Sequence, residues 1–416
     1  MTEQIHVSAG LDLHKKFIIA TILSEDGFKE QQRFERTESG LLNLKEWTIE
    51  NKCEVVACES TSDFWVPVYN MMEGHVTVIV GNARDIKMFS HKKTDKVDSE
   101  LIAQLALKGM IRPSRIFDRK HQEFRSLARL RHKLVQKKTD IKNEIHHILD
   151  SELFRLSSVL TDLFGKSGLR ILQGITNGSP MDEIIKKLPL NVRKKTVQLN
   201  EILQTTISPG AILRLKYCLN LLQCLDDETG NLTEAIFQYA NEWFKQEMKT
   251  LKSVPGIGNI AAVTLLAEIG NFSDFPSGDK LASWLGLVPN VYQSADKMRT
   301  GSITKRGSDH ARWILVQIAH AASRKRNTVF KRFYDRKKPM IGAGKTIVAL
   351  ARKIVIIVWH LITHSEFFND ENGDDIPSSK TVKIRILVIV TLEEILKILN
   401  RATVVLKDPD PNMRGW

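Results

Sequence analysis

The sequence predicts an α/β domain followed by a mainly helical region. Apolar runs of strand length crowd the first eighty residues, leucine and isoleucine recur every seven residues beyond residue 118, and a Val-Pro-Gly-Ile-Gly turn interrupts helical periodicity at residue 254. At 416 residues the chain exceeds the usual size of one domain, so two domains with a connecting helical segment are expected, each able to bury a core.

Residues 5–13 and 17–25 read as β-rich runs joined by a short lysine-containing turn, and 28–34 as a third strand. Leu41, Leu42, Leu44 and Trp47 mark one side of a helix over 38–51. The apolar run Val55 to Cys58, a helix around 63–73, a strand from His75 to Val80 and a helix starting near Val97 follow. Three strands, helix, strand, helix, strand, helix is the order of a ribonuclease-H-like domain, assigned to residues 1–117. A small α/β nucleotide-binding fold competes, but no glycine-rich phosphate loop follows the first strand.

From Asp118 to about Leu156 the chain turns helical and basic, with Leu127, Leu134, Ile141 and Ile148 forming a heptad seam. Such a seam packs either within the chain or in a coiled-coil dimer. Gly165 to Pro180 reads as a loop, and 181–250 as helices stopped at Pro189 and Pro209-Gly210. Residues 118–250 are therefore expected to be a helical, coiled-coil-like linker, and a candidate dimerisation region. A second, mainly α unit is expected over 251–365, leaving 366–416 as an unassigned tail.

Lys and Arg number 61 against 48 Asp and Glu, a net charge of +13 that favours a polyanionic partner such as nucleic acid. Cys53, Cys58, Cys218 and Cys224 have no zinc-ligand spacing, which suggests a reduced, intracellular protein. Met1 to Gly10 lacks the pattern of a signal peptide. The apolar stretches are broken by Arg352 and Lys353 and by Lys383 and Arg385, so no membrane span and a cytoplasmic location are expected.

Asp12 falls at the end of the first strand, and Glu59 directly follows the apolar run ending at Cys58. Asp95 and Asp98 lie three apart at a helix start, so both can face one side. Strand ends at one sheet edge converge, and four carboxylates gathered there would repel one another unless cations neutralise them. Hard oxygen ligands select Mg²⁺ or Mn²⁺, and two such ions would polarise a phosphodiester. Lys92, Lys93 and Lys96 beside the last pair would attract phosphate.

Val254-Pro-Gly-Ile-Gly looks like the turn of a helix-hairpin-helix, with Gly256 and Gly258 offering backbone N–H groups to phosphate. Further on lie Leu285-Gly-Leu-Val-Pro, a serine in a basic loop at Ser294, and Gly301-Ser-Ile-Thr-Lys-Arg-Gly. Gly342-Ala-Gly-Lys-Thr346 imitates a nucleotide-binding loop, but Pro339 stands where that loop needs glycine.

Taken in order, Gly-Leu-Asp-Leu-His-Lys, Glu59, Lys-Thr-Asp-x-x-Asp and these C-terminal motifs resemble the DEDD-type insertion-sequence transposases. That family includes Piv-type DNA invertases and bridge-RNA-guided recombinases, and the resemblance spans roughly residues 5–365. It implies a RuvC-like N-terminal domain and a C-terminal serine transposase domain. It also implies Asp12, Glu59, Asp95 and Asp98 as metal ligands, with Ser294 as a nucleophile that forms a covalent phosphoserine link to DNA. Many relatives carry glycine after that serine, whereas this chain has Ala295, and Ser302 is the alternative.

Basic residues run from Lys92 through Lys138, including Arg125, Arg129 and Arg131, and again from Lys297 to Lys338, including Arg299, Lys305 and Arg306. They are expected to contact nucleic acid. Phosphate contacts hold a duplex without reading it. The resemblance to bridge-RNA-guided recombinases adds that a structured noncoding RNA selects sites by pairing, so the expected partners are DNA, that guide RNA, and further copies of the chain in a dimer or tetramer.

Overall fold

The structure, a computed structural model, describes residues 4–60, 62–83, 86, 95–193, 196–203, 205–294, 297–305 and 307–369; for 95–97, 181, 191, 193, 196, 200, 203, 291–294 and 297–300 it describes the backbone alone. The chain divides into two compact units, Met1–Asp118 and Arg119–Trp416.

The first unit runs β1 (Val7–Leu13), β2 (Phe17–Ser24), β3 (Lys29–Glu35), α1 (Glu38–Glu50), β4 (Val55–Glu59), α2 (Trp65–Met72), β5 (Thr77–Gly81) and α3 (Asp95–Leu107). The sheet order is β3-β2-β1-β4-β5. β1, β2 and β3 pair antiparallel, while β4 and β5 lie parallel to β1, an arrangement compatible with a ribonuclease-H-like domain. Side chains alternate between faces along a strand, and both faces of β4 are covered. Val56 and Cys58 pack with Leu44, Trp47, Val68 and Met72, whereas Val55 and Ala57 pack with Ile102, Leu105 and Ala106. This is why β4 reads as an unbroken apolar run rather than an alternating one.

Helix α3 lies directly on β1 at Gly10. A Cβ there would stand 2.2 Å from the Ala103 nitrogen and the Ser99 carbonyl oxygen, so only glycine permits the approach. Ser8 Oγ donates to the Ala103 carbonyl at 2.9 Å, and the Thr21 and Ser99 hydroxyls meet at 2.8 Å, fixing the register. The helix begins at Asp95, two residues before the expected start near Val97, and so includes both aspartates.

The second unit opens with α4 (Arg119–Ser151), followed by α5 (Leu156–Val159), α6 (Lys166–Thr176), α7 (Met181–Lys186), α8 (Leu190–Arg193), α9 (Thr196–Leu203) and α10 (Pro209–Trp243). Helices α4 and α10 pack antiparallel: Tyr239 meets Glu123, Thr233 meets Arg131, Asp226 meets Lys138 and Arg214 meets Glu144. Part of the heptad seam packs within the chain. Ile141 and Ile148 join a core with Leu172, Leu215 and Leu219, and Leu127 packs on a second core. The expected loop from Gly165 to Pro180 is instead largely helix α6, with Ile171, Leu172 and Ile175 buried. Its Gly168 does not break the helix but allows close packing, since a Cβ would lie 2.0 Å from the Leu163 carbonyl oxygen.

The chain continues through α11 (Lys245–Ser253), α12 (Asn259–Ile269), α13 (Gly278–Trp284), a hairpin of β6 (Pro289–Ser294) and β7 (Lys297–Ile303), α14 (Asp309–Arg324), α15 (Val329–Ile341) and α16 (Ala343–Thr363). Their core also contains Phe124 of α4 and Ile236 and Ala240 of α10. Contrary to the sequence expectation, α16 is long and apolar enough by composition to cross a membrane. In this fold it is a core helix: Ile347, Leu350, Ile354, Val355 and Val358 are buried. The two charges that were expected to break it lie on its partly exposed side, Arg352 pairing with Asp279 at 3.1 Å and Lys353 standing over the Phe333 ring. Burial, with Arg336 nearby, lowers the Lys353 amine to about 8. Phe368 stacks on Phe330, and its N–H donates to Ser253 Oγ at 2.9 Å. The expected tail beyond residue 369 lies outside the described residues.

Candidate active site

In the first unit, β1 and β4 are parallel neighbours with Leu11 opposite Cys58. The next residue on each is Asp12 and Glu59, so both acids close the same end of the sheet. Helix α3 reaches that end by its register. Ala103 lies at the level of Ser8, and Ser99 at the level of Gly10. One helical turn rises about 5.4 Å and two strand residues about 6.6 Å. The preceding turn, which starts at Asp95, therefore comes level with Asp12. His14 Nε2 lies 2.9 Å from Asp12 Oδ2, and its ring stacks on Phe17 at 4.5 Å.

Asp98 stands on α3 one residue before Ser99, and its side chain is partly buried. The Asp95 and Lys96 side chains, and Lys92 and Lys93 altogether, lie outside the described residues. Among the described residues, no three His, Cys, Asp or Glu side chains stand at metal-ligand spacing. By donor chemistry the acids at this edge, all carboxylate oxygens, fit a hard divalent cation.

In the second unit, Val254 to Gly258 turns the chain between α11 and α12. Gly256 has φ +95°, and a Cβ there would stand 2.8 Å from the Ile318 carbonyl oxygen. Gly258 is exposed and begins α12 with no side-chain cap, which leaves the first amide N–H groups of that helix without an intrahelical partner. Ser294, expected in a loop, is the last residue of β6 and pairs with Lys297 across the hairpin tip. Its side chain, those of Lys297 and Arg299, and the residues Ala295 and Arg306 lie outside the described residues. Ser302 on β7 and Lys305 just after it are exposed. Gly307 closes this segment at φ +79°, where a Cβ would meet the Trp284 carbonyl oxygen at 2.2 Å.

Sequence reasoning gave Glu268 no role. Its side chain is only 2% exposed and lies between two arginines of α4, with Arg129 Nε 2.7 Å from Oε1 and Arg125 Nη2 3.1 Å from Oε2. Ser308 Oγ, which also caps α14, donates to Oε2 at 2.7 Å. Burial opposes ionisation of this carboxyl, but Arg129, Arg125 and Ser308 outweigh it and hold the group at about 2. Arg125 and Arg129, expected to meet phosphate, are thus engaged with a buried carboxylate, and Arg131 Nε donates to Thr233 Oγ1 at 2.7 Å. The only signal for this was an acidic residue inside an apolar helix. Beside the network, the rings of His132, His310 and Trp313 meet and line a cavity of about 90 Å³. Burial, then His310 and Arg131, lowers the His132 imidazole below its ordinary value.

Two family profiles match the chain: one described as transposase at residues 9–153, and one described as transposase of the IS116/IS110/IS902 family at residues 248–335. The chain is 25% identical over 328 residues to the transposase for insertion sequence element IS1111A of Coxiella burnetii, a match covering 76% of this chain and 79% of that protein. It is 27% identical to the transposase for insertion sequence element IS1328 of Yersinia enterocolitica, over 37% of this chain and 48% of that one. A pilin gene-inverting protein of Moraxella bovis is 34% identical over 34% of this chain and 46% of its own length. With one transposase profile on its sheet domain and one of the IS116/IS110/IS902 family on its C-terminal helices, the chain is similar to that family in both regions and is a DNA transposase/recombinase.

Proposed function

We propose that this transposase cuts and rejoins DNA through a metal-binding set, Asp12, Glu59, Asp95 and Asp98, and a nucleophile, Ser294. The observation that carries the reading is that Asp12 and Glu59 end adjacent parallel strands while α3 begins beside them. Bound Mg²⁺ or Mn²⁺ would neutralise the charge of a phosphodiester. An N–H of His14 donates to Asp12 and orients that carboxylate. Ser294 Oγ forms a bond to phosphorus as the bond from phosphorus to a deoxyribose oxygen breaks, and that oxygen leaves with a proton. Attack by a deoxyribose hydroxyl on the phosphoserine then frees the serine and joins the new strand. One phosphodiester bond replaces another, so the exchange needs no energy-rich co-substrate.

Site choice in this reading comes from a structured noncoding guide RNA. It is supported by the two long basic stretches, whose phosphate contacts carry no sequence information, a task that base pairing performs. Further copies of the chain complete the assembly, since exchange joins ends from two sites. Incubation with labelled element-end DNA, followed by denaturing electrophoresis and peptide mapping, tests the chemistry. A divalent-cation-dependent adduct on Ser294 is expected. An adduct on Ser302, or full activity in EDTA, overturns the assignment of the serine or of the metal set respectively.

A further inference from the structure

We infer that a nucleobase subsite adjoins the carboxylate edge of the first unit. The open cavity between α1 and α2 takes one unpaired base of a nucleic-acid strand, and Lys15, Lys16 and Arg36 hold the flanking phosphates. This rests on the reading that the edge formed by Asp12 and Glu59 receives such a strand. The cavity measures about 550 Å³, with Leu41, Pro67 and Met71 as apolar walls and Asn70 and Glu38 as polar lining. An unpaired base needs both: apolar surface against its ring faces, and a donor and an acceptor for its edge.

Arg36 stands at the cavity in a fixed pose. Its guanidinium carbon lies 4.4 Å from the centre of the Phe64 ring, and Nη1 donates to the Lys15 carbonyl at 3.3 Å. Its Nε is buried and has no hydrogen-bond partner among the described residues. A guanidinium held in one pose beside the cavity suits a charge-assisted contact with a phosphate oxygen. Lys15 and Lys16 are exposed and make no ion pair among the described residues. They follow Asp12 by three and four residues, and Phe64 follows Glu59 by five, so the cations belong to the edge where the acids stand. Repulsion between Glu38 and phosphate argues for the base, rather than the backbone, at that wall.

The test uses the full-length protein and single-stranded oligonucleotides carrying one 5-iodouracil, in deoxyribose and ribose versions. Photocross-links mapping to residues 64–71 are expected with at least one version. The version that cross-links identifies the strand as DNA or RNA, and cross-links in neither overturn the inference. Met71→Trp, which covers the apolar wall and narrows the cavity, should weaken binding roughly tenfold, and an abasic nucleotide at the iodouracil position should abolish that difference. In the exposed double variant Lys15→Ala/Lys16→Ala, which spares the core, the dependence of log affinity on log salt should flatten by about 1.4. Unchanged affinity and salt dependence, with Ser294 adducts still forming, refute the subsite and leave the proposed chemistry standing. Cross-links and salt dependence as expected, with no adduct in the wild type, refute the chemistry and leave the subsite standing.

Discussion

Replacing Glu268 by glutamine removes the charge that holds Arg125 and Arg129 while keeping an acceptor for Ser308. Holding the carboxyl at about 2 instead of the ordinary 4.5 stabilises the folded state by roughly 3 kcal/mol at neutral pH. Breaking one side of a buried pair costs about 3–5 kcal/mol. Arg125 and Arg129 are 25% and 40% exposed, so water takes up part of their orphaned charge, and a loss of about 2–3 kcal/mol is expected. The carboxyl is more acidic folded than unfolded. Its contribution is therefore complete above about pH 4.5 and disappears as pH falls through about 2. Hydrogen exchange of α12 and α14 amides reads the stability of this region without assuming that both units unfold together. The variant should lose protection at pH 7 and approach the wild type toward pH 2. A difference below about 0.5 kcal/mol, or one that does not change with pH, would show that the arginines gain nothing from the pair. In the double variant Arg129→Met/Glu268→Gln the loss should be smaller than the sum of the single losses.

Ser294→Ala should abolish strand exchange and the covalent adduct while DNA affinity stays within a few-fold, as measured by filter binding; an adduct that survives there and vanishes in Ser302→Ala would reassign the nucleophile. Asp12→Asn and Asp98→Asn should each remove Mg²⁺-dependent cleavage, checked by titrating Mg²⁺ with end-labelled DNA, and cleavage at wild-type rates would exclude the residue from the metal set. Gly307→Ala should lower the melting temperature by several degrees, because a left-handed backbone and a 2.2 Å clash with the Trp284 carbonyl oxygen together cost on the order of 2 kcal/mol; an unshifted melting curve would show that the loop relaxes freely. Protein purified with its flanking noncoding DNA transcribed should carry a structured RNA, and recombination at unchanged sites after ribonuclease treatment would remove the guide from the mechanism.

What the sequence determined by itself was local. Alternating and continuous apolar runs marked the strands of the first unit to within about two residues, because burial of a strand face is written in neighbouring positions. The acids at 12 and 59 were legible as strand-end groups for the same reason, and the turn at 254–258 because Gly256 takes a positive φ that favours glycine. Tertiary structure decided the rest. Gly165 to Pro180 looked like a break because glycine disfavours helix, yet α6 forms there since Ile171 and Leu172 are buried and Gly168 lets Leu163 approach. Helix α16 carried two charges that seemed to interrupt it, and its packing turns them to one partly exposed side. Arg125 and Glu268 are 143 residues apart, so no spacing rule could pair them. Which arginines meet phosphate and which neutralise a buried carboxylate depends on how α4 lies against α12, a matter of long-range packing rather than of local sequence.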